Sequence, residues 1–176
     1  QLYTGVHAVA GAAYAAGRKI LSAGVSGADV LAEMEAVSRR ANCREAFPPI
    51  VTTEAEVLHS TKLAGTLAAG EMLLVDFGVE TECGFSSDVT RTWPVDGKLS
   101  AAQRDIYQLV LETQRSTIAE VKAGILYGGL HLHACRTMTQ GLKDLGVFTG
   151  EVDSLVERGA HTLFFPHGVG HLLGMD

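Results

Sequence analysis

Two strand-like runs, Met72 to Val79 (MLLVDFGV) and Gly84 to Trp93 (GFSSDVTRTW), decide how this chain is read, and the short segment between them is centred on Glu82. Paired as an antiparallel hairpin about Glu82, they set Asp76 directly opposite Asp88. The two side chains then share one side of the sheet, with Cβ atoms roughly 4.5 to 5.5 Å apart. Carboxylates that close repel, so one takes up a proton unless a shared cation keeps both ionised. Leu73, Leu74, Val75 and Phe77 make the strand around Asp76 apolar on both faces, which reads as a strand buried on both sides. An unpaired ionised group there would cost several kcal/mol, so a metal or a hydrogen-bond cluster is expected. The plainer alternative is that Asp88, among Ser86, Ser87 and Thr90, merely solvates an edge strand.

Working outward, Leu2 to Ser22 is Ala-rich and free of proline, so it reads as a helix ending near Gly24. Ser26 offers an N-cap for a second helix that sets Val30, Met34, Val37 and Ala41 on one face. Phe47 to Thr53 (FPPIVTT) combines two prolines with β-branched residues and suits a short edge strand leading toward His59. After the hairpin, Ser100 and Gln103 form a capping box, and Ile106, Leu109, Val110, Ile118 and Val121 make an apolar side before Gly124. A further helix is expected from about Gly129 to Leu145, with Leu132, Cys135, Met138, Leu142 and Leu145 inward and Gly146 as its stop. A short helix, Glu151 to Arg158, then precedes a last strand, Thr162 to His171. Helices and strands come in blocks, which favours an α+β fold with an antiparallel sheet.

The chain has 176 residues, enough for one domain that buries about 70% of its unfolded surface around a single core. A hydrophobic content of 47% with 19% charged residues fits a packed globular protein. No window has the length of a membrane span and no signal-peptide pattern opens the sequence, so a soluble chain with no membrane partner is expected. A net charge of −6 without a Lys/Arg cluster argues against a nucleic-acid partner and favours metal and small peptides. Cys43, Cys83 and Cys135 are odd in number and form no CxxC pair, which indicates neither a disulfide framework nor a thiolate zinc site. Buried, inert thiols in a reducing, cytoplasmic setting are expected. Both ends look cut, since Gln1 is not an initiator and Asp176 follows directly on a His-bearing segment.

His167 and His171 have the spacing of a helical zinc-protease pair, but Pro166, Gly168 and Gly170 disfavour a helix and no Glu follows His167. On a strand rising near 3.3 Å per residue the two imidazoles point to one face but lie roughly 13 Å apart. They therefore take different roles, one as a metal ligand and the other toward substrate, unless both merely sit in a tight turn. His59 in EVLHST reads locally as a surface residue, and His7, His131, His133 and His161 as surface or packing residues.

VDFG with Asp76, SDVTRTWPVDGK with Asp88, SAAQRDIY from Ser100 to Tyr107, and FFPHGVGHLLGMD together resemble the metallopeptidases of the pita-bread (creatinase/aminopeptidase) fold, in the Xaa-Pro aminopeptidase and prolidase branch. The likeness runs in order over nearly the whole chain. It implies an antiparallel sheet with flanking helices and a dinuclear site, manganese first with zinc or cobalt as alternatives. Asp76, Asp88 and His171 fall at ligand positions, Asp88 bridging the ions and Asp76 binding one through both oxygens. His59 and His167 fall where the family steadies substrate or the tetrahedral intermediate.

The resemblance also implies donors that this sequence lacks: two glutamates from strands beyond the His171 motif, a histidine just past Asp176, and an N-terminal domain. The expectation is thus a partial metallopeptidase catalytic domain over residues 1–176, truncated before its closing strands and inactive alone. Weak or single metal binding follows, because three ligands shared by two ions fall short of the roughly five or six donors manganese prefers. An open sheet edge would favour a homo-oligomer or a complementing chain.

Xaa-Pro aminopeptidase action on peptides with proline second leads the functional readings. An Xaa-Pro dipeptidase, a non-catalytic peptide-binding module and metal-free amidino hydrolysis on the same fold are alternatives. Asp76, Asp88 and His171 together argue against the last two, and TRTWPVDGK with SAAQRDIY argues against a methionine-specific aminopeptidase.

Overall fold

Alanines at six helical positions and the absence of proline carry Leu2–Ile20 through one uninterrupted helix, α1. The second helix, α2 (Gly27–Arg40), begins as the sequence predicts: Ser26 Oγ accepts from the Asp29 amide at 3.1 Å, and the Asp29 carboxylate accepts from the Ser26 amide at 2.9 Å. The computed structural model describes residues 2–173, in two compact units: one holds the residues up to Leu99 together with Leu173, the other Ser100–Leu172. Gly174, Met175 and Asp176, the end of the HLLGMD motif, lie outside the described residues. Among those described, no helix is long and apolar enough to cross a membrane.

The first unit sets α1 and α2 against an antiparallel three-stranded sheet ordered β2 (Ile50–Thr52), β3 (Met72–Phe77), β5 (Val89–Pro94). β2 lies at the edge and begins directly after Pro48 and Pro49, whose missing amides fall outside the ladder. A two-stranded pair, β1 (Arg44–Glu45) with β4 (Val79–Glu80), continues beyond the end of β3. There Glu80 is buried, with its carboxylate accepting from Arg44 Nε at 2.7 Å and from Ser86 Oγ at 3.2 Å. Leu73, Val75 and Phe77, on alternate positions of β3, are wholly buried with Val6, Ala13, Val30 and Met34. Each of these side chains larger than alanine contributes about 1.5 to 3 kcal/mol by leaving water.

In the second unit, α3 (Ala101–Ala119) starts at Ser100 in the expected capping box with Gln103. It packs on α4 (Tyr127–Asp144), followed by α5 (Val152–Glu157) and a 3-10 turn, Ala160–Leu163. Here Leu109, Met138 and Leu142 form a second, smaller core with Phe148 and Phe165, so the apolar residues gather in two clusters instead of one.

The expected inward face of α3 is corrected. Leu109 is buried, but Ile106, Val110, Ile118 and Val121 are 44 to 62% exposed, and Thr113 and Thr117 are buried in their place. The two hydroxyls are satisfied within the helix, donating to Leu109 O at 2.9 Å and Thr113 O at 2.7 Å, so burying them leaves no orphaned donor. Leu132 and Leu145 are likewise exposed, whereas Cys135, Met138 and Leu142 point inward as expected. The strand expected over Thr162 to His171 does not form. The 3-10 turn takes its first residues and 164–173 are irregular, since Pro166, Gly168 and Gly170 are poor strand formers and no described strand pairs with them.

Candidate metal centre

Asp76 lies on β3 between Ile50 of β2 and Thr90 of β5. Its direct partner is Thr90, not Asp88, so the sequence-based register is off by one residue at the turn. The turn supplies the reason. Thr81 N donates to Phe85 O at 3.0 Å and Gly84 N to Thr81 O at 2.9 Å, while Gly84 is left-handed at φ 77°. This is a three-residue loop closed by a left-handed glycine, centred on Cys83 where Glu82 was expected. Asp88, two residues before Thr90, becomes a diagonal neighbour of Asp76, at roughly 7 to 8 Å or a little less between Cβ atoms.

The two-residue alternation of a strand still puts Asp88 on the side of Asp76. Ser87 is buried and Val89 packs on the core, which leaves 88 and 90 for the opposite face. Gly78 lets the strands meet here: a Cβ at that position would stand 2.0 Å from the Ser87 carbonyl oxygen. The setting of Asp76 is also corrected. Only the Leu73, Val75 and Phe77 side of β3 is fully buried, and Asp76 shares a half-buried side with Met72 and Leu74. The carboxylate thus borders solvent-accessible space, where a hydrated cation can reach it.

Two residues that the sequence reading did not single out support this pair. Thr90 Oγ1 donates to Asp76 Oδ1 at 2.9 Å and orients the carboxylate. On the buried side, the Tyr14 hydroxyl of α1 bonds to the Val75 carbonyl at 3.1 Å and to the Val89 carbonyl, tying β3 to β5 beneath the aspartates. Burial pushes the Tyr14 phenol well above its usual range, and the Asp76 carboxylate adds to the effect, so it stays a neutral donor. Thr90 had a signal in SDVTRT, two residues beyond Asp88 on the same face. Tyr14 had none, because nothing in an Ala-rich helix marks which strand carbonyls its side chain will meet.

His59 is exposed in the loop after β2 and adopts a left-handed backbone at φ 57°. His167 and His171 are exposed in the irregular segment after the 3-10 turn, with His171 Nδ1 bonded to Leu172 O at 2.9 Å. Asp76 and Asp88 are thus brought to one face of one hairpin, with His59 in the same unit, while His167 and His171 are carried by the second unit. Carboxylate and imidazole donors suit divalent cations from manganese to zinc, and a carboxylate held by a neighbouring hydroxyl is how outer partners orient such ligands. The residues present fit a divalent metal. Cys83, expected to be buried, is exposed in the turn.

A model of metallopeptidase family M24 matches residues 1–176. Among curated relatives, an Xaa-Pro aminopeptidase of Haemophilus influenzae is 42% identical over 120 residues, covering 68% of this chain and 28% of the relative. A probable Xaa-Pro aminopeptidase of Chaetomium globosum is 37% identical over 134 residues, 75% of this chain and 22% of the relative. Among solved structures, Pseudomonas aeruginosa aminopeptidase PepP is 32% identical with a TM-score of 0.93, and zinc-substituted Escherichia coli aminopeptidase P in complex with product is 30% identical with a TM-score of 0.92. Each alignment covers 97% of this chain and 39% of the other. The chain therefore spans under a third of those curated relatives and about two fifths of those structures.

Proposed function

Because the chain belongs to metallopeptidase family M24 and has the pita-bread fold of aminopeptidase P, we propose that it is part of the catalytic domain of an Xaa-Pro aminopeptidase, which releases the N-terminal residue from peptides with proline second. The observation that carries this reading is the placing of Asp76 and Asp88 on one face of the β3–β5 hairpin, with Thr90 orienting the first carboxylate. The Xaa-Pro aminopeptidase names of its relatives support the substrate class.

Asp76 and Asp88 would hold divalent metal, manganese in the cell, with His171 as the imidazole ligand that the family resemblance implies and zinc as a competent substitute in keeping with the zinc-substituted neighbour. When bound, the metal supplies an activated water and stabilises charge developing on the scissile carbonyl. The chain's own residues set the geometry. Thr90 fixes the rotamer of Asp76, Tyr14 holds the two strands in register, and His59 and His167 steady the substrate. The carbonyl before proline belongs to a tertiary amide without an N–H, so a site that grips the carbonyl suits this bond better than one that hydrogen-bonds the amide. The partners are a peptide and further copies of the chain or a complementing segment, and the free thiols suit the reducing cytoplasm.

The test is release of glycine from a Gly-Pro-Xaa tripeptide by protein containing this segment, with Mn²⁺, against Gly-Pro as control. Tripeptide cleavage abolished by Asp88→Asn supports the reading. Cleavage of the dipeptide alone makes it a prolidase, and cleavage of neither leaves a peptide-binding module.

A further inference from the structure

His131 and Cys135 stand four residues apart on α4 and so share one face of that helix. His131 Nε2 lies 3.4 Å from Cys135 Sγ. The 3-10 turn after α5 brings in His161, whose ring centroid is 6.3 Å from that of His131. One ligand atom from each of the three residues lies within 4.8 Å of the other two. Cys135 is fully buried and His161 is 8% exposed, while the His131 ring also contacts Phe165. Nδ1 of His131 and Nδ1 of His161 are buried with no hydrogen-bond partner.

Buried imidazole nitrogens ordinarily find a donor or an acceptor, and here the group within reach is a thiol flanked by a second ring. A thiolate with two imidazoles is a donor set that suits zinc and disfavours the hard, oxygen-seeking divalent cations. With Zn–S near 2.3 Å and Zn–N near 2.0 to 2.1 Å, tetrahedral geometry sets sulfur and nitrogen donors about 3.5 Å apart. The 3.4 Å separation of Cys135 Sγ and His131 Nε2 matches that spacing. We propose that His131, Cys135 and His161 form a zinc-binding site that shares no residue with Asp76, Asp88 and His171.

The three protein ligands leave a fourth position for water or another small donor. Loading converts the Cys135 thiol to a thiolate and releases its proton to solvent, with no change of oxidation state. The site joins α4 to the turn that leads into His167 and His171, so the bound ion fastens the start of that irregular segment to a helix.

Cobalt(II) titration of the full chain under anaerobic conditions tests this, because a thiolate ligand gives an intense near-ultraviolet charge-transfer band that carboxylates and imidazoles do not. The band should saturate near one equivalent and survive both Cys83→Ser and the double change Asp76→Asn with Asp88→Asn. Cys135→Ser should remove it, and His161→Gln should weaken cobalt binding by more than about tenfold, the loss already typical of an outer-shell partner. Should either variant fail to fold, X-ray absorption on the zinc-loaded Asp76→Asn, Asp88→Asn protein decides, with one sulfur near 2.3 Å and two nitrogens near 2.0 to 2.1 Å expected. A band that persists in Cys135→Ser, or a zinc shell of nitrogen and oxygen alone, overturns the proposal and leaves a hydrogen-bonded His–Cys pair.

Discussion

Thr90 faces Asp76 across the β3–β5 ladder and donates to its Oδ1 at 2.9 Å, so one hydroxyl sets the orientation of the carboxylate most central to the proposed metal site. Thr90→Val keeps the shape and the β-propensity but removes the donor. It is expected to weaken Mn²⁺ binding by about ten- to hundredfold, the usual loss for an outer-shell partner, with little change in thermal unfolding. Calorimetric titration of both proteins measures it, and equal affinities would show that Thr90 is only a packing residue.

Tyr14→Phe removes the hydroxyl that bridges the Val75 and Val89 carbonyls. A loss of about 0.5 to 1.5 kcal/mol is expected, the net worth of a hydrogen bond whose acceptors also belong to the β3–β5 ladder. The pH dependence carries a sign as well. The folded phenol is raised above its ordinary value of about 10, so its contribution to stability is fully present below about pH 10 and is lost as pH rises further. Denaturant unfolding at about pH 8 and about pH 11 should show a steeper alkaline loss in the parent than in the variant.

Gly78→Ala places a methyl group against the Ser87 carbonyl oxygen and the Phe47 ring, at 2.0 and 2.6 Å before relaxation. The backbone oxygen cannot rotate away as a side chain could. A cost of about 1 to 3 kcal/mol is expected, together with weaker metal binding as the strand end carrying Asp88 shifts. Unchanged stability would mean that the hairpin end is looser than its geometry implies.

The two capping boxes should differ in acid. Ser100→Ala is expected to cost about 1 kcal/mol at any pH where the protein folds, since its partner Gln103 does not titrate. The Asp29 carboxyl is held below its usual range by the Ser26 side chain first and the Ser26 amide second, and Ser26→Ala loses the first of these while keeping the amide. That contribution is present above the ordinary aspartate pKa of about 3.9 and is lost as pH falls through the lower folded value. The Ser26→Ala penalty should therefore shrink between neutral and strongly acidic pH while the Ser100→Ala penalty does not.

Features written into a few adjacent residues were legible before the fold was known. Both N-caps are of this kind, as is the edge position of β2, because caps and prolines act over one turn or one strand. The Asp76–Asp88 pairing was legible in its face but not its register. A tight loop centred on Glu82 and one centred on Cys83 fit the same composition, and Gly84 settles the matter only once it is seen to be left-handed. The inward side of α3 misled because Ile106, Val110, Ile118 and Val121 outrank two threonines in hydropathy, yet Thr113 and Thr117 meet their own hydrogen-bond needs and can be buried cheaply. His131, Cys135 and His161 follow no short ligand spacing. Their convergence depends on the 3-10 turn bringing residue 161 back to α4, which no local pattern announces.

His59 carries a final implication. A left-handed backbone suits glycine or asparagine, and an imidazole there stores of order 1 kcal/mol of conformational strain in every folded molecule, with or without a ligand. A His59→Gly chain would relax that torsion and surrender the ring, so resilience and usefulness at this corner are set against each other by a single side chain.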